Sequence, residues 1–358
     1  MHRRKFLKDS LVGAPLLMAK RGSESFFAKR VEGPGASATA TDPRRRLEFR
    51  RMLTHWTEYF EPGYLPFVDE VQPELIQVGF YGAEFWAIAH VPKADLKDTN
   101  AAAYPVDGDL KGNGDFFENL NKQLHQRGIK VVGHFDTEFH VTGVIYGPEG
   151  PREGFFKFYN ELWDEKELGP KPVKDPLELV QRSADGSPSF FYRPAYSPWP
   201  LYHGCLNNPN WQKVLKAFAK RGIERGVDGF VINHFYLVGC VCPYCSRGFK
   251  DYLRERYKPA EIRRNFGIED LDKHQFSEIV GSCRPGDMTP LRLEELRFSH
   301  ISRKQAFDKI FIEYGRSLKP DLILAQWLHG HYTPSAADER LMLPPELWAK
   351  GEDYIWYS

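Results

Sequence analysis

The sequence predicts an α/β protein of the (β/α)8-barrel type, and three observations carry that expectation. Short apolar runs alternate with helical stretches from Arg44 to the end of the chain, the pattern of parallel strands joined by right-handed crossovers. No glycine-rich phosphate loop follows any of the runs, which sets aside a doubly wound nucleotide-binding sheet and a nucleotide cofactor. Polar and aromatic residues gather at the C-terminal ends of the runs, the face of such a barrel that carries the chemistry.

Residues 50–56 (RRMLTHW) suit a first strand, and residues 74–86 (ELIQVGFYGAEFW) a second. A helix follows in 115–130, where Phe116, Leu120 and Leu124 share one face and Gly128 stands near the end. Residues 130–140 (KVVGHFDTEFH) form the next strand. The unit repeats as a helix from about Trp211 with a strand from about Gly229 to Phe235, and again across residues 302–327. Residues 344–358 (PPELWAKGEDYIWYS) supply a last helix and strand. That makes about six strands where a closed barrel has eight. The final strand is apolar, and an unpaired hydrophobic edge is an aggregation hazard. The expectation is therefore a barrel over residues 44–358 that is incomplete at its C-terminal side and part of a longer protein.

The first residues read differently. MHRRKFLKDSLVGAPLLMAK pairs Arg3-Arg4 with Phe6-Leu7-Lys8 ahead of a short apolar segment from Leu11 to Ala19. The segment is too short to span a bilayer and suits a signal peptide, residues 1–21. Paired arginines at this place resemble a bacterial twin-arginine signal, which makes the export machinery a partner and the periplasm or the medium the destination. Residues 22–43, rich in Gly, Ser, Ala and Thr, read as a flexible mature N-terminus. No stable membrane span is expected.

Composition narrows the partners. The chain of 358 residues carries a formal net charge of +1 and 27% charged residues, which recommends neither nucleic acid nor an acidic membrane surface. The aromatic share is 14%, with 8 Trp and 17 Tyr. A packed core absorbs such rings, and so do clefts that stack on sugar faces. A homo-oligomer stays open.

The polar strand-end residues are Glu84 and Trp86; Asp136, Glu138 and His140; Asn233 and His234; and Trp327, His329 and His331. Asp228 and Asp321 precede their strands, so they belong to the opposite face as turn or capping residues.

Several stretches resemble known families. The segment CVCPYCSRGFKDYLRERY with the following EIRRNFG resembles the cysteine loop and helix of glycoside hydrolase family 42 β-galactosidases. The stretch from LRFSHISRKQAFDKIF to DYIWYS is similar to the section after it. FFENLNKQLHQRGIKVVGHFDTEF and CLNNPNWQKVLKAFAKRGIERGVDGFVIN are closer to the glycosyl hydrolases grouped as hypothetical glycosyl hydrolase family 6. The resemblance implies a sugar-processing (β/α)8 barrel in which an acid/base Glu follows an Asn at the end of the fourth strand. Asn233 matches that Asn, and His234 stands where the Glu would be. The family's nucleophilic Glu would fall on a seventh strand, beyond Ser358.

Glycoside hydrolysis ordinarily uses one carboxylic acid and one carboxylate. His234 could donate a proton, because an imidazole titrates near neutrality. Asp136 and Glu138 alternate with Thr137, so in extended chain both point the same way. These three are the catalytic candidates. Asn233, Glu84, Trp86, His140, Trp327, His329 and Trp356 are the substrate-binding candidates, the tryptophans with Tyr357 as stacking platforms.

Cys240, Cys242 and Cys245 are too close together for relaxed disulfides. C-x-C-x2-C supplies three ligands of a tetrahedral zinc site. Cys205 is the expected fourth ligand, in keeping with the upstream Cys of family 42, and Cys283 is the alternative. Such a zinc is structural, pinning the loop after the fourth strand, and disulfides remain the rival. The leading expectation is an exported glycoside hydrolase acting on a poly- or oligosaccharide. Its rival is a catalytically inactive barrel that binds carbohydrate. A metal-dependent hydrolase built on His329-Gly330-His331 ranks last.

Overall fold

The structure, a computed structural model, describes residues 48–54, 58–95, 103–140, 154–193, 197–233, 235, 239–281, 285–328 and 350–357. The expected signal peptide and flexible N-terminus, His234, Cys283, His329 and His331 lie outside these residues, as does most of the helix expected within 344–358.

Strand β1 (Met52–Thr54) leads through α1 (Tyr64–Val71) to β2 (Leu75–Phe80). Helices α2 (Ala83–Ile88) and α3 (Leu110–Gln126) precede β3 (Lys130–Phe135). A long excursion follows. It contains β4 (Glu138–His140), α4 (Phe155–Lys157), α5 (Glu165–Leu168), β5 (Phe190–Arg193) and β6 (Ser197–His203). The β/α alternation resumes with α6 (Pro209–Glu224) and β7 (Gly229–Ile232). Helices α7 (Pro243–Arg256), α8 (Pro259–Phe266), α9 (Pro290–Phe307) and α10 (Arg316–Leu318) lead to β8 (Ile323–Leu328), and β9 (Tyr354–Tyr357) ends the described chain.

The main sheet has six strands in the order β1-β2-β3-β7-β8-β9, and every neighbouring pair is parallel. This is the parallel, sequentially ordered part of a barrel wall, as the alternation of runs and helices predicts. Its two faces are both apolar, so β2 and β7 read as unbroken buried runs. Alternation separates the faces. Leu75, Val132, Val231, Ile323, Ala325, Trp327 and Trp356 form one cluster on the concave, barrel-interior side. Ile76, Val78, Val131, Phe230, Ile232 and Leu324 pack outward under the helices, against residues such as Phe117, Leu120, Phe218 and Phe311.

The long helices begin where local chemistry places them. Asp109 accepts a hydrogen bond from the Gly112 N–H at the start of α3, and Asn208 does the same for Asn210 ahead of Pro209 in α6. Thr289 caps α9 through the Arg292 N–H, ahead of Pro290. At the N-terminal edge of the sheet, Asp228 is the expected structural residue. Its Oδ2 accepts from the Val131 N–H at 2.9 Å and lies 2.9 Å from His125 Nε2; its Oδ1 accepts from Lys130 Nζ at 3.0 Å.

Three expectations need correction. The run 74–86 is not one strand: β2 ends at Phe80, and Glu84 and Trp86 belong to α2. The run 130–140 breaks after Phe135, so Asp136 and Glu138 are not successive same-side residues of one strand. The excursion holds a three-stranded antiparallel sheet, order β4-β6-β5, of which only β4 falls in a run the sequence pattern marks as strand. The other two, FFYR and SPWPLYH, lack the strand-to-helix rhythm that marks the rest of the chain.

Candidate functional site

Two side-chain clusters stand at the C-terminal side of the strands. The first is built of cysteines. Cys205 follows β6, and its N–H donates to the Leu179 carbonyl at 2.8 Å. Cys240 and Cys242 lie in the loop before α7, Cys242 is that helix's N-cap, and Cys245 is in its first turn. The Cys205 sulfur is 3.4 Å from that of Cys242, 3.5 Å from that of Cys245 and 3.8 Å from that of Cys240.

These separations bear on the two readings of the cysteines. A disulfide holds its sulfurs at about 2.0 Å, and none of the four is so paired. Four thiolates about 2.3 Å from one zinc ion sit at tetrahedral edges of about 3.8 Å. The cluster approaches the second geometry. Its surroundings are those of sulfur acceptors: the Arg182 N–H donates to Cys240 Sγ and the Asn207 amide to Cys245 Sγ. All four residues are buried. Hydrogen bonding among the crowded sulfurs raises the Cys205 thiol well above its usual range, and the same contacts lower Cys242. Only a cation lets all four ionise together. The donor set fits a metal, held by Cys205, Cys240, Cys242 and Cys245, that would clamp α7 to the end of β6.

The second cluster joins Glu84, His134 and Asp136, whose ligand atoms all lie within 4.8 Å of one another. The backbone explains how residues so distant in sequence meet. Gly79 takes a left-handed φ of 76° where the β2–β3 register shifts, a bulge that turns the chain off the strand. Gly82 then lies so near the end of β3 that a Cβ there would stand 2.2 Å from the Asp136 carbonyl oxygen. With that approach open, the Ala83 N–H donates to the Asp136 carbonyl at 2.9 Å, and the Glu84 N–H donates to Asp136 Oδ1 at 2.9 Å. Asp136 thereby holds the start of α2 and brings Glu84 beside it. His134 enters from β3 on the interior face, its ring edge-on to Trp327 at 5.6 Å and to Phe80 at 5.0 Å.

The structure thus sorts the residues expected at the strand ends. Asp136 and Glu84 come together, joined by His134, which sequence reasoning missed. The signal was available, since His134 stands two residues beyond Val132 and so shares its face. Asn233 is buried just past β7, its N–H donating to the Phe135 carbonyl at 2.9 Å. Trp327 and Trp356 are register partners on β8 and β9 and belong to the interior cluster. Glu138 and His140 lie on β4, opposite His203 and Leu201.

Trp86 is a correction. It packs outward in the helical layer, stacked on Phe218 at 5.1 Å and against Phe158 at 5.0 Å, with the Arg225 guanidinium over its ring. It is a core residue and offers no face to a sugar. A cavity of about 680 Å³ opens on the helical flank, lined by His90, Lys111, Lys157, Glu167, Arg221 and Arg225 among others. None of its lining residues is among the strand-end candidates.

With fold and clusters in place, the chain is structurally similar to glycoside-hydrolase barrels. The chain superimposes on the polyextremophilic β-galactosidase from the Antarctic haloarchaeon Halorubrum lacusprofundi with a TM-score of 0.50 at 14% identity, over 86% of this chain and 40% of that one. At that identity the likeness concerns the fold. In sequence, the chain is 26% identical over 172 residues to β-galactosidase LacA of Lactobacillus acidophilus, covering 43% of this chain and 25% of the relative. β-Galactosidase LacZ of Lactobacillus acidophilus gives the same figures. The matched part therefore spans about a quarter of the length of these curated relatives. No protein-family model matches the chain. The chain has weak homology to β-galactosidases and the barrel architecture of glycoside hydrolases.

Proposed function

We propose that the protein is an exported glycoside hydrolase acting on an oligo- or polysaccharide at the C-terminal ends of its parallel strands. The observation that carries this reading is the sequence match to β-galactosidases, running together with the barrel-type sheet. Trp327 and Trp356, adjacent on the interior face and 3% and 7% exposed, pack beneath the strand ends as part of the wall under the site. Glu138 and His234 are the proton-transfer groups. Asp136 has a positioning role, because its carboxylate is committed to the start of α2 and is 1% exposed. A group so enclosed does not reach a glycosidic oxygen. The cysteine cluster holds a structural zinc ion. The paired arginines Arg3-Arg4 address the folded, metal-loaded chain to the twin-arginine route. Among the described residues, no helix is long and apolar enough to cross a membrane.

A second reading has a specific observation in its favour: His234 occupies the place where family 42 enzymes carry an acid/base Glu. On that reading the barrel binds carbohydrate without cleaving it. Hydrolysis of a panel of aryl glycosides and oligosaccharides by the whole protein separates the two. Turnover that falls far more than binding in Glu138→Gln and His234→Ala supports the enzyme. Sugar binding with no turnover on any substrate supports the binding barrel. Export is tested by replacing Arg3-Arg4 with Lys-Lys; unchanged periplasmic recovery would refute the signal.

A further inference from the structure

We infer that Glu84, His134 and Asp136 form a second metal site, separate from the cysteine cluster, that takes one divalent first-row transition ion. Three features carry the inference. The first is composition: two carboxylates and one imidazole form an O,O,N donor set suited to manganese, iron or zinc, and their two negative charges match a divalent cation.

The second is geometry. The three ligand atoms lie within 4.8 Å of one another. Ligands about 2.1 Å from a shared ion stand roughly 3–3.5 Å apart, so small side-chain rotations close the set. Glu84 and Asp136 are already fixed relative to each other by the hydrogen bond from the Glu84 N–H to Asp136 Oδ1. The His134 ring is held edge-on between Phe80 and Trp327.

The third is enclosure. Glu84, His134 and Asp136 are 1%, 3% and 1% exposed. Enclosure at this level leaves room for a dehydrated ion among the three donors and none for a sugar ring. A neighbour points the same way. Gln77 is 1% exposed, and neither its amide oxygen nor its amide nitrogen has a hydrogen-bond partner among the described residues. It pairs in register with Val132, two residues before His134, and by alternation with Leu75 it faces the barrel interior. A buried amide on that face suits an enclosed water.

The ion would tie α2 to the end of β3 beneath the strand-end cleft. The inference stands whether or not the protein hydrolyses glycosides.

The probe is Mn2+, which oxygen and imidazole ligands accept and a four-thiolate site disfavours. The whole protein, its cysteine cluster loaded, is dialysed against citrate and titrated with Mn2+ while free ion is followed by electron paramagnetic resonance. One Mn2+ per chain is expected to bind saturably in the wild type. Glu84→Gln and His134→Gln are each expected to weaken binding at least tenfold. Spin-echo modulation of the wild-type complex should show a single imidazole nitrogen, a readout that does not depend on any variant folding. Absence of saturable Mn2+ binding by the folded wild type, absence of nitrogen coupling, or unchanged affinity in both folded variants would overturn the site.

Discussion

Replacing Asp228 by Ala tests whether the N-terminal edge of the sheet is a purely structural device. In the native protein the Asp228 carboxylate accepts from the buried Val131 N–H, lies beside His125 Nε2 and pairs with Lys130. Alanine leaves the Val131 N–H buried without its acceptor, a loss of about 1–3 kcal/mol. The Lys130 ammonium is half exposed, so its pairing adds at most about 1 kcal/mol. The expected total is about 1–4 kcal/mol, read by urea denaturation, or about 2–6 °C in Tm for a chain of this size. Asp228→Asn, which keeps one acceptor oxygen, should lose roughly half as much. Burial works to raise the Asp228 pKa, but the Val131 N–H, Lys130 and His125 outweigh it and hold the carboxyl below its usual value. A depressed folded pKa means stability that is present above the unfolded value of about 3.9 and lost as pH falls through the folded one. The wild type and Asp228→Ala should therefore converge in acid. A difference under about 0.5 kcal/mol at pH 7, a gap that does not narrow below pH 4, or a loss of carbohydrate binding in the folded variant would refute the assignment.

Three further outcomes follow from the same geometry. Cys242→Ser should reduce zinc from about one ion per chain to almost none, by elemental analysis, and cost more than about 3 kcal/mol of stability; a mapped disulfide among the four cysteines in zinc-free wild-type protein would contradict this. Trp86→Ala and Trp327→Ala should each cost about 3–5 kcal/mol with oligosaccharide affinity unchanged in the folded variants; calorimetric titration and thermal melts read both. Burial raises the Glu352 carboxyl to about 8, opposed by Lys304. A raised folded pKa is stability present at low pH and lost as pH rises through 8, so Glu352→Gln should gain in Tm over the wild type between pH 5 and pH 9.

The sequence by itself determined the class of fold. Amphipathic spacing at Phe116, Leu120 and Leu124, and the apolar runs around Val131, Phe230 and Leu324, are local patterns, and they mark α3, β3, β7 and β8 close to where the structure has them. Asp228 was legible as structural because its position ahead of a strand decides which face of the sheet it joins. The cysteine cluster was partly legible, since C-x-C-x2-C lies within one loop. That Cys205 completes it, with Cys283 outside the described residues, depends on where β6 returns the chain, which no local pattern encodes.

Tertiary structure alone decided the rest. Trp86 and Trp327 are equally plausible sugar platforms as letters. A bulge at Gly79 and a helix from Ala83 send the first into the helical layer, while strand alternation turns the second inward. Glu84 and Asp136 are distant in sequence, yet they share a hydrogen bond because Gly82 lets two backbones touch. Hydrophobic periodicity records which face of an element is buried. It does not record which elements meet, because that follows from sheet register and close backbone approach, and these arise only when the strands pair.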